Sequence, residues 1–404
     1  MSHQENLEEL TTHCIRCGFC LESCPTFKVT GNETESPRGR IYLVRSALEG
    51  KLDWGRDVGP HIDQCLGCRA CETACPSGVQ YGHIAELARE RLAKADPKPV
   101  RGLLLKGLTD PKLARIQMAL GRMLPGRKLP AFLSEWIAGA PAEAQTPPAP
   151  SNDPWPPLDE RDLPPVRGEV FLLRGCVMRV LFDPVHEATV RLLRRVGYRV
   201  LAADAGCCGA LHAHNGMLDD ARSLARRLVE DVPPEVPVIV NSAGCGSTLK
   251  EYGTLDEALA PFAGRVHEAT VFLLREGLGQ ALAAAPGLDE TVTYHDACHL
   301  AHGQKITHAP RGLIQAVPHL RYVPLEEADT CCGSAGIYNV LQPKMARALL
   351  DRKWSYVQQT GARIVATGNP GCHAWIEQAS REQGGTVRVV HTLELLEAAF
   401  SGWR

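Results

Sequence analysis

The chain has 404 residues, with 44 Lys and Arg against 46 Asp and Glu, and 16 cysteines. This length suggests two or three domains that each bury a core, and the near-neutral charge argues against nucleic acid as a partner. The N-terminal residues do not resemble an export signal and we find no run of 18 apolar residues, so we expect a cytoplasmic protein whose cysteines are reduced and bind metal.

Two cysteine motifs of the same form lie in the N-terminal part. They read CIRCGFCLESCP from Cys14 and CLGCRACETACP from Cys65. Three cysteines in one tight loop reach three corners of an iron–sulfur cubane, and in two-cluster ferredoxins the cysteine before proline crosses over to the other cubane. The ligand sets predicted for two [4Fe–4S] clusters are Cys14, Cys17, Cys20 and Cys75 for the first, and Cys65, Cys68, Cys71 and Cys24 for the second.

Zinc and disulfides are the alternatives for these eight cysteines, but zinc sites usually pair two CxxC units. Two cubanes that exchange ligands must lie close together. The motifs therefore predict a path for single electrons rather than a site of substrate chemistry.

The segments beside these motifs have helical patterns. Ser36 can cap a helix that starts at Pro37, with apolar residues at helical spacing from Ile41 to Leu48. A second helix is predicted over His83–Ala95. The first domain is therefore expected to be mostly α-helical.

Two segments of unusual composition follow. Residues 98–128 carry eight Lys and Arg and one acid, interleaved with apolar residues. Such a helix can lie on an anionic membrane or an acidic partner, or can pack on the first domain with a solvated basic face. Residues 139–166 contain nine prolines and predict a semi-extended linker.

The C-terminal part has a βαβ pattern that occurs twice. The predicted strands are Glu169–Leu173, Arg199–Ala203 and Val236–Val240, then Thr291–Tyr294, Arg321–Pro324 and Arg363–Ala366. Helices are predicted between them, for example over Pro184–Val196 and Met217–Val229. Corresponding cysteines are offset by 122, 124 and 127 residues. A duplicated α/β unit with a parallel sheet explains these offsets.

The predicted fold class is therefore a multidomain α+β protein, with an α-helical two-cluster ferredoxin-type domain and two α/β cysteine-rich units. The expected boundaries are 1–138 for the first domain with its basic extension, 139–166 for the linker, 167–285 for the first unit and 286–404 for the second.

Each unit has four cysteines that follow strands or form an adjacent pair before glycine. They are Cys176, Cys207, Cys208 and Cys245 in the first unit, and Cys298, Cys331, Cys332 and Cys372 in the second. Because parallel strands end at one edge of a sheet, we expect each set to converge there. A disulfide between adjacent cysteines would be strained, so metal ligation is favoured.

The occupant of these sets stays open between a further iron–sulfur cluster and zinc, for which His295, His299 and His373 offer additional ligands. Thiol/disulfide chemistry at the cysteine pairs is another alternative. The sequence has no P-loop, no dinucleotide fingerprint and no nucleophile elbow, so this chain is not expected to hold NAD or a Rossmann-bound flavin itself, and a partner is expected to handle the hydride chemistry.

The whole chain resembles the iron–sulfur subunit of glycolate oxidase, also called glycolate dehydrogenase. The resemblance rests on the two cysteine motifs with PRGRIYLV and CPSGVQYG beside them, and on AGCCGA, KEYG and CCGSAGIY in the C-terminal units. It implies a bacterial complex in which flavin-binding subunits oxidise glycolate to glyoxylate. The iron–sulfur subunit then passes electrons to an acceptor such as membrane quinone, from the cytoplasmic face of the inner membrane.

Related families share some of these motifs. Iron–sulfur subunits of anaerobic glycerol-3-phosphate and lactate dehydrogenases are alternatives, and so are heterodisulfide reductase subunits. The latter often end each unit in CxxC, whereas Thr248 and Trp375 stand at the second cysteine position here. This departure argues against a non-cubane cluster and disulfide reduction.

Overall fold

The computed structural model describes residues 3–97, 99–109, 163–201 and 206–403. The predicted basic stretch beyond residue 109 and the Pro-rich linker before residue 163 lie outside these ranges. Residues 202 and 203, predicted as the end of a strand, also lie outside them.

The N-terminal part is helical, as predicted. Its helices are α1 (His3–Thr12), α2 (Pro25–Thr30), α3 (Pro37–Leu48), α4 (Gly59–Asp63), α5 (Ala70–Thr73), α6 (Tyr81–Ala95) and α7 (Pro99–Thr109). Ser36 caps α3 by accepting a hydrogen bond from the Gly39 amide at 3.0 Å, and Pro37 is its first residue. Leu7, Val44 and Ile84 form part of the buried core.

Helix α7 is the described part of the basic stretch. Arg101 pairs with Asp63 at 3.2 Å, and Leu105 is fully buried. Lys106 is exposed. The described part of the basic stretch therefore packs on the N-terminal domain, with the side chain of Lys106 exposed to solvent.

The first cysteine-rich unit contains a four-stranded parallel sheet. Its strands are β1 (Gly168–Leu172), β2 (Tyr198–Leu201), β3 (Val238–Val240) and β4 (Val266–Glu268), in the order β2-β1-β3-β4. Its helices are α8 (Val177–Leu181), α9 (Asp183–Arg195), α10 (Ala210–Ala213), α11 (Leu218–Asp231), α12 (Ala243–Lys250), α13 (Tyr252–Leu255), α14 (Ala260–Ala263), α15 (Ala269–Arg275) and α16 (Leu278–Ala283).

The second unit repeats this arrangement. Its strands are β5 (Thr291–His295), β6 (Arg321–Tyr322), β7 (Ile364–Thr367) and β8 (Arg388–His391), in the order β6-β5-β7-β8. Its helices are α17 (His308–Gln315), α18 (Tyr338–Leu341), α19 (Pro343–Thr360), α20 (Pro370–Glu382) and α21 (Thr392–Ser401). The identical strand order confirms the predicted duplication.

The six predicted strands form within three residues of their expected ends, but β4 and β8 were not predicted. The consecutive buried residues of β3 and β7 are typical of parallel strands that are covered on both faces. No helix within the described ranges combines the length and hydropathy needed to cross a bilayer.

The two units share one apolar core. Helix α9 packs against α21, and Leu192 and Leu193 lie in the same buried cluster as Leu395 and Leu396. An ion pair from Arg195 to Glu397, at 3.2 Å, lies beside this contact. The sheets are therefore joined by buried apolar surface.

Candidate iron–sulfur sites

The two cysteine loops share a backbone feature. The residues on either side of the middle cysteine have positive φ: Arg16 (61°) and Gly18 (89°) in the first loop, and Gly67 (66°) and Arg69 (65°) in the second. Left-handed residues bend the chain sharply. Each loop is thereby kept compact enough to present three thiols to one centre.

The first predicted ligand set lines one pocket. The thiols that line it are Cys14, Cys17, Cys20 and Cys75, and Cys71 of the second loop also reaches it. Cys17 is exposed, whereas Cys14, Cys20 and Cys75 are half-buried. Cys75 is thus placed with the first loop although it ends the second motif.

The second predicted set is buried. Cys24, Cys65, Cys68 and Cys71 all have buried side chains. Burial raises the pKa of the Cys68 and Cys71 thiols well above the usual value, and Cys24 is among the neighbours that raise it further in both. Cys24 is therefore close to the second loop.

A buried arginine stands beside this second set. Arg40 is 1% exposed, and its guanidinium donates to Glu35 at 2.8 Å and to the His61 carbonyl at 2.7 Å. Its Nη1 is 4.0 Å from Cys24 Sγ. A paired cation here can stabilise thiolate charge that is removed from water.

Two residues of α6 also contact this set. Arg89 donates to the Cys65 carbonyl and to the His214 carbonyl, the latter at 2.7 Å, and Tyr81 donates its hydroxyl to Cys65 Sγ at 3.5 Å. Burial raises the pKa of Cys65, but Arg40, Arg89 and the Tyr81 hydrogen bond outweigh it and lower the pKa overall. This site therefore favours a thiolate at Cys65.

In the first cysteine-rich unit the four thiols converge, as predicted. Cys176 and Cys207 are 3.5 Å apart at sulfur, and Cys207 and Cys245 are close enough to Cys208 to act on the pKa of its thiol. Tyr252 donates to the Cys208 carbonyl at 2.9 Å.

The second unit repeats this chain of thiols. Cys298 and Cys332 are close enough to Cys331 to act on the pKa of its thiol, and Cys331 and Cys372 act on that of Cys332 in the same way. All four are buried. Of the candidate histidines, His295 lies with Cys332 and Cys372 in one group.

The other two candidate histidines lie outside this group of three. His299 Nδ1 is 3.8 Å from Cys298 Sγ, and its ring stacks on His214 at 4.7 Å between centroids. His373 packs against Phe182.

The second ligand set lies against the second unit. Cys68 belongs to the same apolar cluster as Cys298 and Cys331. Tyr338 donates to the Gln64 carbonyl at 2.9 Å. The buried thiols of the N-terminal domain are therefore adjacent to those of the second unit.

Comparison with protein families agrees with this architecture. A model described as a 4Fe-4S dicluster domain matches residues 11–79, and a model described as a cysteine-rich domain matches residues 170–250 and 292–377. The thiol-only sets described above are the donors that [4Fe–4S] clusters require. The chain is therefore a two-cluster iron–sulfur electron-transfer protein with duplicated cysteine-rich units.

Curated relatives define the family more closely. The chain is similar to a probable glycolate oxidase iron-sulfur subunit of Bacillus subtilis (strain 168), with 33% identity over 96% of this chain and 94% of the relative. It is 32% identical to the glycolate oxidase iron-sulfur subunit of Escherichia coli (strain K12), over 96% of this chain and 93% of the relative. The chain belongs to the family of glycolate oxidase iron–sulfur subunits.

A more distant relative is a subunit of the dihydromethanophenazine:CoB–CoM heterodisulfide reductase of Methanosarcina barkeri (strain Fusaro / DSM 804). It is 25% identical over 96% of this chain and 93% of the relative. These names describe subunits of oxidoreductases that have more than one subunit.

Proposed function

We propose that this chain carries electrons from a flavin-binding partner subunit that oxidises glycolate to glyoxylate. The observation that supports an electron path is the arrangement of the eight N-terminal thiols, which form one set at the surface and one buried set. Bound [4Fe–4S] clusters supply one-electron redox chemistry. The names of the relatives from Bacillus subtilis and Escherichia coli support the substrate.

The proposed ligands are Cys14, Cys17, Cys20 and Cys75 for the outer cluster, and Cys24, Cys65, Cys68 and Cys71 for the inner cluster. Ile15 and Phe19, which flank the exposed Cys17, are 68% and 67% exposed. This surface suits contact with an electron-donating partner. Arg40 and Arg89 place positive charge at the inner set.

The substrate is tested with the complex purified anaerobically. Dye reduction is measured with glycolate, lactate and glycerol 3-phosphate as donors. Glycolate is expected to give the highest rate. If glycerol 3-phosphate were the one active donor of the three, glycolate would be wrong as the substrate, whereas the proposed electron-transfer role would still hold.

Disulfide reduction is less well supported. Thr248 and Trp375 are packed where a CxxC motif would place a further cysteine, and both side chains are largely buried. The isolated chain with a reduced dye is expected to leave substrate disulfides intact.

We further propose that the complex lies at the cytoplasmic face of the inner membrane and that quinone accepts the electrons. The basic residues from Lys106 onward support this. The test replaces six basic residues by Gln: Lys106, Lys112, Arg115, Arg122, Arg127 and Lys128. These substitutions should release the complex from membranes. Substitution is preferred to deletion of the whole basic stretch, because deletion would also remove the buried Leu105. An unchanged membrane-bound fraction would contradict the proposal.

A further inference from the structure

A histidine and two cysteines meet in the second cysteine-rich unit. One ligand atom each from His295, Cys332 and Cys372 lies within 4.8 Å of the other two, and all three residues are buried. His295 is the last residue of β5, and Cys372 lies in the first turn of α20. The carboxyl edge of the sheet thus brings together one nitrogen and two sulfur donors.

His295 lacks an ordinary partner at this position. It is 0% exposed, and neither ring nitrogen makes a hydrogen bond of normal geometry with any residue that the structure describes. A buried polar group without a hydrogen-bond partner lowers the free energy of unfolding, because it has lost its bonds to water and gained none in the protein. A cation between the imidazole and the two thiols would remove this cost.

The first unit differs from the second at this point. The residue three positions before the first cysteine is His295 in the second unit and Leu173 in the first. At this position a nitrogen donor is therefore present in the second unit and absent from the first.

A buried cation also distinguishes the second unit. The glycines after the cysteine pairs, Gly209 and Gly333, pack against the backbones of Ala221 and Ala346. Seven residues beyond these alanines stand Leu228 in the first unit and Lys353 in the second.

The charge of Lys353 acts on the neighbouring thiols. Lys353 is 2% exposed and interacts electrostatically with Cys331 and Cys332. A divalent ion held by three thiolates and one imidazole would carry one net negative charge. Lys353 is placed to balance that charge.

We propose that the second unit binds one zinc-class divalent ion through His295, Cys332 and Cys372, with Cys331 as the fourth ligand. Bond lengths of about 2.3 Å to sulfur and 2.0 Å to nitrogen put the ligand atoms of a tetrahedral zinc site roughly 3.5–3.8 Å apart. The ligand atoms of His295, Cys332 and Cys372, which lie within 4.8 Å of one another, need little contraction to reach this spacing. In a cubane the thiolates bind different irons, so they stand further apart.

Metal analysis of the full chain in its complex, purified anaerobically, tests this site. The wild type is expected to contain one zinc per chain besides the iron of the N-terminal clusters. His295→Leu, which copies the first unit, should lower zinc at least fivefold, and Cys332→Ser should do the same. Cys208→Ser, at the equivalent cysteine of the first unit, should retain zinc.

Co²⁺ provides a readout that does not depend on these variants. Wild-type protein loaded with Co²⁺ should show thiolate-to-cobalt charge transfer and strong tetrahedral d–d bands. His295→Cys should keep the metal and shift these bands. Zinc unchanged in His295→Leu, a wild type without these cobalt bands, or additional iron in place of zinc would each overturn the proposal.

Discussion

Cys24 ends the first cysteine motif in the chain but lies beside the thiols of the second. Cys24→Ser should therefore damage the cluster predicted to be held by Cys65, Cys68 and Cys71. The reason is that serine removes one of four ligands from a buried site. Electron paramagnetic resonance of the reduced protein should show loss of one of two signals, with iron falling toward half.

Cys75→Ser is the matched control, since it removes the corresponding residue of the other motif. It should affect the cluster of the Cys14 loop. If Cys24→Ser instead removed the signal of the Cys14 loop, ligand exchange between the motifs would be wrong.

Arg40 is the buried cation beside Cys24, and its pair with Glu35 has side chains that are 1% and 10% exposed. Arg40→Gln should lower the reduction potential of the inner cluster by roughly tens of millivolts, because an anionic cluster loses nearby positive charge. It should also cost about 3 kcal/mol of stability. A redox titration monitored by electron paramagnetic resonance measures the potential.

Arg40→Lys keeps the charge and serves as control. Its potential should lie closer to that of the wild type. Equal potentials in all three proteins would show that this charge does not act on the cluster.

The eight candidate ligands and their exchange between the two motifs could be proposed from the sequence, because the spacing of the cysteines and the proline after the fourth cysteine is typical of two-cluster ferredoxins. The contacts that Tyr81 and Arg89 make with Cys65 could not be predicted from the sequence. Both residues belong to α6, whose apolar pattern indicates only that the helix packs on the core. Arg89 follows Ala85 and Ala88 on the buried face of α6. A charged residue on the buried face of a helix was the one feature of the sequence that could have indicated a buried partner for Arg89.

At the level of elements, the cysteine loops depend on residues with positive φ. Gly18 has φ of 89°, and an added Cβ would stand 2.6 Å from Arg38 Nη1. Gly18→Ala should therefore destabilise the loop by about 1–2 kcal/mol. Thermal unfolding of the cluster-loaded protein measures this change.

Gly312→Ala is the matched control. Gly312 lies in α17, and an added Cβ would meet nothing within 4 Å among the described residues. This change should be neutral or stabilise the protein by up to about 1 kcal/mol. Equal effects of the two substitutions would contradict the role of backbone conformation.

The strands show which elements the sequence can reveal. The six strands that precede a cysteine could be predicted, because the βαβ order and the repeated cysteines mark them. Strand β4 has three residues, of which His267 and Glu268 are polar, and no cysteine of the first unit follows it. It is recognisable from its pairing with β3, which is a long-range contact.

At the level of the whole molecule, the two cysteine-rich units should unfold together because their cores are continuous. Leu193 and Leu396 are both fully buried in this shared cluster. Either one changed to Ala should cost about 2–5 kcal/mol and lower the stability of both units. Calorimetry should show one shifted transition for the two units.

Leu274→Ala is the control, since Leu274 is 40% exposed. It should change stability much less. Two separate transitions, of which a variant shifts one, would contradict a shared core. Neither the contact between α9 and α21 nor this coupling could be predicted, because local periodicity does not specify which helix faces meet.

The N-terminal domain contacts the second unit through both charge and apolar surface. Lys28 pairs with Glu327 at 2.8 Å, and Glu327 also pairs with Arg352. The hydrogen bond with Arg352, and then Lys28, hold the pKa of Glu327 at about 2. This carboxylate therefore stabilises the contact at neutral pH, and its contribution is lost as the pH falls from about 4.5 toward 2.

The apolar contact should nevertheless be the stronger of the two. A partly exposed ion pair contributes about 0–1 kcal/mol, whereas truncating a buried aromatic residue such as Tyr338 costs about 3 kcal/mol. Tyr338→Ala should therefore open the inner cluster to solvent and speed the loss of its iron to a chelator more than tenfold. Glu327→Gln should change this rate by less than about fivefold. If Glu327→Gln had the larger effect, charge rather than apolar packing would hold the domains together.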